Sequence, residues 1–219
     1  MADSPSKDQI LDAAERLFAQ QGFSRTTIKQ IGKTAGVNSA LLYYYFGDKE
    51  RLYRSVLERL VTRLVSRTLG GLGADASPPL KIRGFIEAQV QTIMANPQLP
   101  KLFMREMLDH DAAHAVEQIQ HLAATSFKGL CDTIEEGQRQ GTFRSDIDPQ
   151  FAAISTVGQV AYFFLARPAV RILLGAGNEG PSPAMIQAFA RHAADFALAA
   201  LGFSSDVMSK PQPRKRRSS

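Results

Sequence analysis

Cysteine and long apolar runs are the two features that this sequence most clearly lacks. One of its 219 residues is a cysteine, Cys131. A single thiol excludes an intrachain disulfide and leaves a structural zinc site without its usual ligands. No run approaches the ~18 consecutive apolar residues of a membrane span, and residues 1–8 contain no apolar stretch of signal-peptide type. We therefore expect a cytoplasmic protein with no membrane partner.

Positive charge is concentrated in two segments of the chain. The net charge is +5, but residues 25–67 alone carry nine basic and three acidic side chains, and residues 204–219 carry five and one. Residues 68–203 are mildly acidic, with 10 basic and 13 acidic side chains. A basic module joined to a more acidic body is typical of a protein that binds a polyanion such as DNA.

Helical periodicity runs through nearly the whole chain, and no strand-like alternation of useful length appears. In the first third, capping residues and glycines predict four helices. They are a helix that ends at Gly22, a second between Thr26 and Gly36, a third over about 38–45 and a fourth over about 48–69. After a Gly- and Pro-rich segment at 70–79, five more are predicted near 80–95, 98–109, 112–140, 148–174 and 182–202.

The second and third predicted helices are short and are joined by a tight glycine turn. Three short helices with such a turn form a helix-turn-helix arrangement, in which one helix enters the DNA major groove. Val37, Leu42 and Phe46 have the spacing to face a small core. The outward positions are then Ser39, Ala40, Tyr43 and Tyr44. Exposed aromatic side chains on so small a helix are poorly explained by stability alone, and DNA contact gives them a role.

A helix docked in the major groove offers each outward side chain a partner. Ser39 is placed to hydrogen-bond a base edge, and Ala40 or Leu41 to touch a thymine methyl group. Tyrosine hydroxyls and Lys49 are placed to reach phosphate oxygens. The alternative for the tyrosines is packing between helices. The predicted DNA-binding residues are Thr27, Lys29, Ser39, Ala40, Leu41, Tyr43, Tyr44, Tyr45 and Lys49.

Two adjoining segments carry a resemblance to a known family. Thr26-Thr-Ile-Lys-Gln-Ile-Gly-Lys-Thr-Ala-Gly-Val37 precedes Leu42-Tyr43-x-Tyr45-Phe46-x-x-Lys49-Glu50-x-Leu52, and together they resemble the amino-terminal domain of TetR/AcrR-type transcriptional regulators. The resemblance implies an all-helical homodimer that reads a palindromic operator and binds a small-molecule inducer in a divergent second domain. Gly32 departs from the alanine common in the family, and Asn38-Ser39-Ala40 departs from Ser-x-Gly.

The sequence therefore predicts an all-α fold with an N-terminal, three-helix DNA-binding domain and a C-terminal helical domain for ligand binding and dimerisation. Residues 1–54 form the first and residues 55–203 the second, linked by the helix at about 48–69. Residues 204–219 are expected to be a disordered basic tail that makes weak DNA contact or only aids solubility. The predicted function is a sequence-specific transcriptional regulator, a repressor released from double-stranded operator DNA by a small-molecule inducer.

Residues 141–149 resemble a connector that precedes the last two helices in many such regulators, and this resemblance implies that those helices form a four-helix bundle between two copies of the chain. Apolar stripes that exceed what one chain needs to bury suit this arrangement. The predicted interface residues are Val157, Val160, Phe164, Ile186, Phe189, Ala193, Phe196 and Ala200. Adaptable apolar side chains on the central helices predict the inducer pocket. They are Met94, Phe103, Met104, Met107, Phe127, Tyr162 and Phe163, with Arg105, Glu106 and Gln159 able to orient a polar group. Packing inside one chain is the alternative for both sets.

Three of the four histidines share one predicted helical face with Glu117. His110, His114 and His121 have a spacing that is compatible with metal ligation. A helix junction near residue 111 would break the alignment, and a solvated polar face explains the pattern as well, so no metal site is predicted.

The sequence contains no nucleophile-and-base signature and no phosphate-binding glycine loop. We therefore predict no enzyme activity and no cofactor. Two rival hypotheses stay open. One is a helical small-molecule-binding protein or enzyme with an incidental three-helix module, and the other is a regulator without a small-molecule ligand.

Overall fold

The computed structural model describes residues 7–73 and 75–203. These residues contain eleven α-helices and no β-strand. In chain order the helices are α1 (Lys7–Arg25), α2 (Ile28–Ala35), α3 (Ser39–Phe46), α4 (Lys49–Gly71), α5 (Pro78–Ala95), α6 (Leu99–His110), α7 (Val116–Leu122), α8 (Lys128–Arg139), α9 (Pro149–Leu165), α10 (Arg167–Leu173) and α11 (Pro183–Ala200). The predicted all-α fold is confirmed. Within the described residues, no helix has both the length and the apolar character to span a bilayer. The predicted tail at 204–219 lies outside them.

Local sequence sets the ends of the first four helices. Gly22 has a φ of +83° and interrupts the helical geometry of α1. Thr27 begins α2 with a reciprocal cap, because its hydroxyl accepts the Gln30 N–H at 3.2 Å and Gln30 Oε1 accepts the Thr27 N–H at 2.9 Å. Asn38 and Asp48 begin α3 and α4 by accepting backbone N–H groups three residues further on. The four predicted helices are present close to their predicted limits.

The helix predicted at 112–140 is divided into separate parts. Asp111 and Ala112 have φ angles of +49° and +63° and form the turn after α6, so α7 begins only at Val116. A π turn at Ala123–Phe127 then separates α7 from α8. The turn at Asp111 and Ala112 confirms the helix junction considered near residue 111, whereas the π turn is uncommon and apolar periodicity does not reveal it.

The helix predicted at 148–174 ends early, at Leu165. Ala166 has a φ of −85° and a ψ of +23°, and α10 begins at the next residue. Pro168 lies in the first turn of α10, where its missing N–H removes no helical bond. Inside a continuous helix the same proline would remove a hydrogen bond and clash with the preceding turn. The proline therefore marks a boundary that the prediction missed.

Helix α4 connects α1–α3, here called the head, to α5–α11, here called the body. Arg59 of α4 bonds Asp12 at 2.8 Å and Glu15 at 2.7 Å, both on α1. The other end of α4 packs along α5, and the buried side chains of head and body form one continuous apolar core. A displacement of α4 relative to the body therefore carries the head with it.

Helices α4 and α5 meet at a pair of glycines. A Cβ atom on Gly84 would lie 2.2 Å from the carbonyl oxygen of Gly71, and one on Gly71 would lie 2.4 Å from the carbonyl oxygen of Gly84. Both distances are far below van der Waals contact, so any side chain at either position would push the two backbones apart.

Gly84→Ala is expected to lower the free energy of unfolding by about 1–3 kcal/mol, because the new methyl group overlaps backbone that cannot move aside. Gly70→Ala is the matched control. Nothing lies within 4 Å of a Cβ there, and alanine favours a helix interior by up to ~1 kcal/mol over glycine. Denaturant unfolding of both variants measures the difference, and equal stabilities would contradict the close contact.

Candidate DNA-binding surface and ligand cavity

One face of α3 is exposed, and the opposite face builds the core of the head. Leu42 and Phe46 are 1% and 6% exposed, which confirms their predicted role in packing. On the other side, Tyr43 and Tyr44 are 54% and 81% exposed, and Ala40 is exposed beside them. This face presents phenol groups and a methyl group to the surroundings, and such groups suit phosphate and thymine contacts.

The remaining predicted DNA contacts flank this face. Lys29 is exposed on α2, and Thr27 is exposed although its hydroxyl already takes part in the α2 cap. Ser39 and Leu41 are half-buried in the first turn of α3. Tyr45 is 40% exposed and its ring contacts both neighbouring aromatic rings. The packing alternative therefore fits Tyr45 better than the more exposed tyrosines.

Lys49 is held inside the head. Its Nζ donates a hydrogen bond to the carbonyl oxygen of Phe23 at 3.1 Å and lies 4.2 Å from the centre of the Phe23 ring. A carbonyl oxygen and an aromatic face together stabilise the ammonium group and tie the start of α4 to the end of α1. A phosphate contact by Lys49 would require both interactions with Phe23 to break. The sequence gives no sign of these interactions, because Phe23 lies 26 residues earlier.

The end of α6 contacts the head beside Phe23. The Phe23 ring centre lies 4.8 Å from that of His114 and 5.7 Å from that of His110. Tyr53 of α4 is buried against the same His114 ring, at 5.4 Å. Burial and the charge of the Glu106 carboxylate raise the pKa of Tyr53 far above its usual range, so this phenol stays neutral. These side chains form the aromatic contact between body and head.

A cavity of about 350 Å³ lies between α4, α5, the π turn and α9. Its walls are mainly apolar, but Thr68, Gln89 and Ser126 also line it. The Thr68 and Ser126 hydroxyls bond each other, whereas Gln89 Oε1 is buried with no hydrogen-bond partner in the described part of the chain. The other lining residues are Leu64, Phe85, Leu122, Phe127, Ile154, Val157 and Gly158. A buried acceptor without a partner beside an apolar cavity is typical of a ligand site.

The structure brings Phe127 to this cavity and places the other predicted pocket residues elsewhere. Four of the remaining six are exposed: Met94, Met104, Met107 and Tyr162. Phe103 packs on the core, and Phe163 stacks on Phe189. The three predicted polar groups bond to the protein itself: Arg105 to the Gln20 carbonyl, Glu106 to the His114 N–H and Gln159 to the Ala193 carbonyl. The signal that was missed is a set of polar residues on otherwise apolar helix faces.

Two of the predicted interface residues lie in the core of the chain itself. Val160 and Ala193 are fully buried, so the structure corrects the prediction that they face a second copy. The others are Val157, Phe164, Ile186 and Phe189, which are partly buried against the core, and Phe196 and Ala200, which are exposed. The outer face of α9 also exposes Phe151, Ile154 and Tyr162, which the prediction did not assign to the interface.

Comparison with known proteins decides the family. Residues 10–56 match the model described as bacterial regulatory proteins, tetR family, and residues 78–201 match the C-terminal domain of the HTH-type transcriptional dual regulator CecR. The HTH-type transcriptional repressor NicS of Pseudomonas putida is 32% identical over 163 residues, which cover 73% of this chain and 75% of that protein. The chain belongs to the TetR family. It is therefore a DNA-binding transcriptional regulator, and the rival hypothesis of an incidental three-helix module is disfavoured.

Solved structures of TetR-family regulators share the fold over nearly the whole chain. A regulatory protein of the family from Rhodococcus RHA1 superposes with a TM-score of 0.74 at 18% identity, covering 91% of this chain and all of that one. The regulator FadR from Bacillus subtilis, solved in complex with stearoyl-CoA, gives a TM-score of 0.71 at 17% identity and covers 89% of this chain and 98% of its own. The TM-scores establish a common fold, and at identities this low the similarity extends to the fold alone.

Lys29→Ala is expected to weaken operator binding and to reduce the slope of log affinity against log salt by about one, because an exposed lysine supplies one phosphate contact.

Lys49→Ala is expected instead to lower the free energy of unfolding by about 1 kcal/mol, through loss of its bond and ring contact with Phe23. Anisotropy titrations at several salt concentrations and denaturant unfolding separate the two effects. A flatter slope for Lys49→Ala alone would mean that Lys49 leaves Phe23 to bind DNA.

Proposed function

We propose that this TetR-family chain is a homodimeric repressor that releases its operator when a small, mainly apolar molecule enters the cavity between α4, α5, the π turn and α9. The observation that carries the proposal is the buried Gln89 Oε1, which lacks a partner in the described residues and borders an apolar cavity. Leu64 and Thr68 in the wall of that cavity belong to α4. A molecule bound there acts directly on the helix that carries the head.

The cavity defines the chemical class of the ligand. Its volume of about 350 Å³ is near the lower end of the ~300–1,000 Å³ range of small-molecule sites. Apolar walls favour hydrocarbon groups, and Gln89 Oε1 calls for one hydrogen-bond donor, such as a hydroxyl or N–H group. The stearoyl-CoA bound to Bacillus subtilis FadR has a long hydrocarbon chain, so it supports a ligand with a large apolar part for this fold. We therefore expect a compact apolar molecule with a single donor.

Release follows from the distance between the two heads of a dimer. Two half-sites of an operator are read when the heads lie about 34–36 Å apart, or a multiple of that distance. A ligand that binds better to a conformation with another α4 position shifts the population away from the DNA-competent state. By linkage, operator DNA must weaken ligand binding by the same factor.

The proposed dimer pairs the outer faces of α9 and α11. Phe151 and Tyr162 on α9 are 70% and 61% exposed, and Phe196 on α11 is 62% exposed. Large aromatic side chains left in water on adjacent helices favour burial against a second copy. A two-fold axis through this face would also match the symmetry of a palindromic operator.

Replacing both Tyr162 and Phe196 by Glu is expected to give monomers, because two carboxylates per chain cannot be buried at this face without large cost. Operator affinity should fall with the loss of the second head. Leu108→Glu, at a 76% exposed position on α6, is the matched control and should stay dimeric. Sedimentation equilibrium reports the result, and a dimeric double variant would place the interface elsewhere.

Gln89→Leu is expected to raise the free energy of unfolding of the ligand-free protein by about 1 kcal/mol, because removing a buried acceptor that has no partner outweighs losing the long bond of 3.4 Å from Gln89 Nε2 to the Val157 carbonyl oxygen. Gln159→Leu is the control and should destabilise, since it removes a hydrogen bond to the Ala193 carbonyl oxygen. Native mass spectrometry of freshly purified protein should show a bound small molecule that Gln89→Leu loses. A less stable Gln89→Leu, together with wild-type protein that carries no small molecule, would exclude the cavity as the ligand site.

A further inference from the structure

Another cluster of chemically active side chains lies away from both the DNA-binding face and the cavity. Glu106, His110 and His114 place one carboxylate oxygen and two imidazole nitrogens within 4.8 Å of one another. All three belong to the end of α6 and the turn that follows it, where the body meets Phe23 of the head. We propose that these three residues bind a divalent transition-metal cation of the Zn²⁺, Co²⁺ and Ni²⁺ class.

The cluster differs from the histidine pattern visible in the sequence. The positive φ angles at 111 and 112 end α6 and turn the chain back, which brings His114 to the Glu106 carboxylate. Glu117 and His121 lie on α7 and line a separate groove against α4. Helical spacing therefore pointed to the wrong acidic partner, and the turn supplies Glu106 in its place.

The burial of the Glu106 carboxylate beside two imidazoles is the observation that favours a bound cation. It is fully buried, and its Oε1 accepts the His114 backbone N–H at 2.7 Å and lies 3.2 Å from His114 Nδ1. Within residues 7–73 and 75–203, no lysine or arginine lies within ion-pair distance of this carboxylate, whose neighbours are His114 and the hydrogen-bonding phenol of Tyr53. One carboxylate oxygen and two imidazole nitrogens that converge at this partly enclosed position form a donor set that a divalent cation can bridge.

The donor set and its geometry select the class of cation. Two imidazole nitrogens and one carboxylate oxygen suit Zn²⁺, Co²⁺ and Ni²⁺, whereas Mg²⁺ and Ca²⁺ prefer oxygen ligands alone. Ligands at 2.0–2.1 Å from a tetrahedral Zn²⁺ lie roughly 3.4 Å apart. Glu106 Oε1 and His114 Nδ1 already lie 3.2 Å apart, and the widest pair must approach by at most about 1.4 Å. His110 is half-buried at the last position of α6, so its ring can turn towards the cation. A water molecule would complete the coordination.

Metal binding at this site would change the contact between the two imidazoles and Phe23 of the head. The Phe23 ring packs on both imidazoles, and Phe23 also holds the Lys49 ammonium at the start of α4. Turning the imidazoles towards a cation changes the surface on which Phe23 packs. The cation is then a second effector of DNA binding, a consequence that rests on the proposed function, whereas binding of the cation does not.

The test uses the full chain after treatment with EDTA. Co²⁺ titration followed by visible absorption, and Zn²⁺ titration against a chromogenic chelator, are expected to show one cation per chain. His110→Ala should weaken binding at least tenfold, and His121→Ala, on α7 outside the cluster, is the matched control and should leave it unchanged. Thermal melts of the cation-free variants establish that both are folded.

A measurement without substitutions tests the same assignment. Zn²⁺ should protect His110 and His114 of the wild-type protein from diethyl pyrocarbonate and leave His121 and His192 reactive. Absence of saturable binding, equal weakening in His121→Ala, or protection of His121 would each overturn the proposal. Saturable binding with an operator affinity that does not respond to Zn²⁺ would keep the site and refute its effect on DNA binding.

Discussion

The position of helix α4 is the constraint on which the rest of the structure depends. Arg59 holds this helix to α1 through Asp12 and Glu15, and Gly71 holds it to α5 through direct backbone contact with Gly84. The cavity borders α4 on one side, and the aromatic contact with α6 meets it near its start. One continuous helix therefore joins both places to the head, and the proposed effects on DNA binding would act through it.

The head was predictable because its signals are local. Gly22, Thr27, Asn38 and Asp48 set the first helix ends through their own side chains or backbone angles, within three residues of the group that they satisfy. The breaks in the second half carry weaker local signals, although Pro168 marks the one between α9 and α10. Asp111 and Ala112 adopt positive φ although neither is a glycine, and the π turn at Ala123–Phe127 has no residue signature.

The sites were less predictable than the fold, because apolar periodicity shows that a helix has a buried face but not which neighbour covers it. Val160 and Ala193 carry the pattern of an interface and are buried inside one chain. Lys49 has the position of a phosphate contact, yet Phe23, 26 residues earlier, holds its ammonium group. Polar residues on apolar faces are a better guide, since Gln89 and Glu106 mark the cavity and the histidine cluster.

The position of the glycine contact between α4 and α5 determines how far the other end of α4 moves when this helix tilts. The direct backbone contact at Gly71 and Gly84 fixes the distance between the two helices at this point, so in the proposed release mechanism α4 would tilt about it. Helix α4 has 23 residues, which makes it a lever arm of about 34 Å. A tilt of about 5° at this contact displaces the far end of such an arm by roughly 3 Å. In the proposed mechanism, a rearrangement of less than 1 Å beside the cavity would thereby be amplified at the α3 surface.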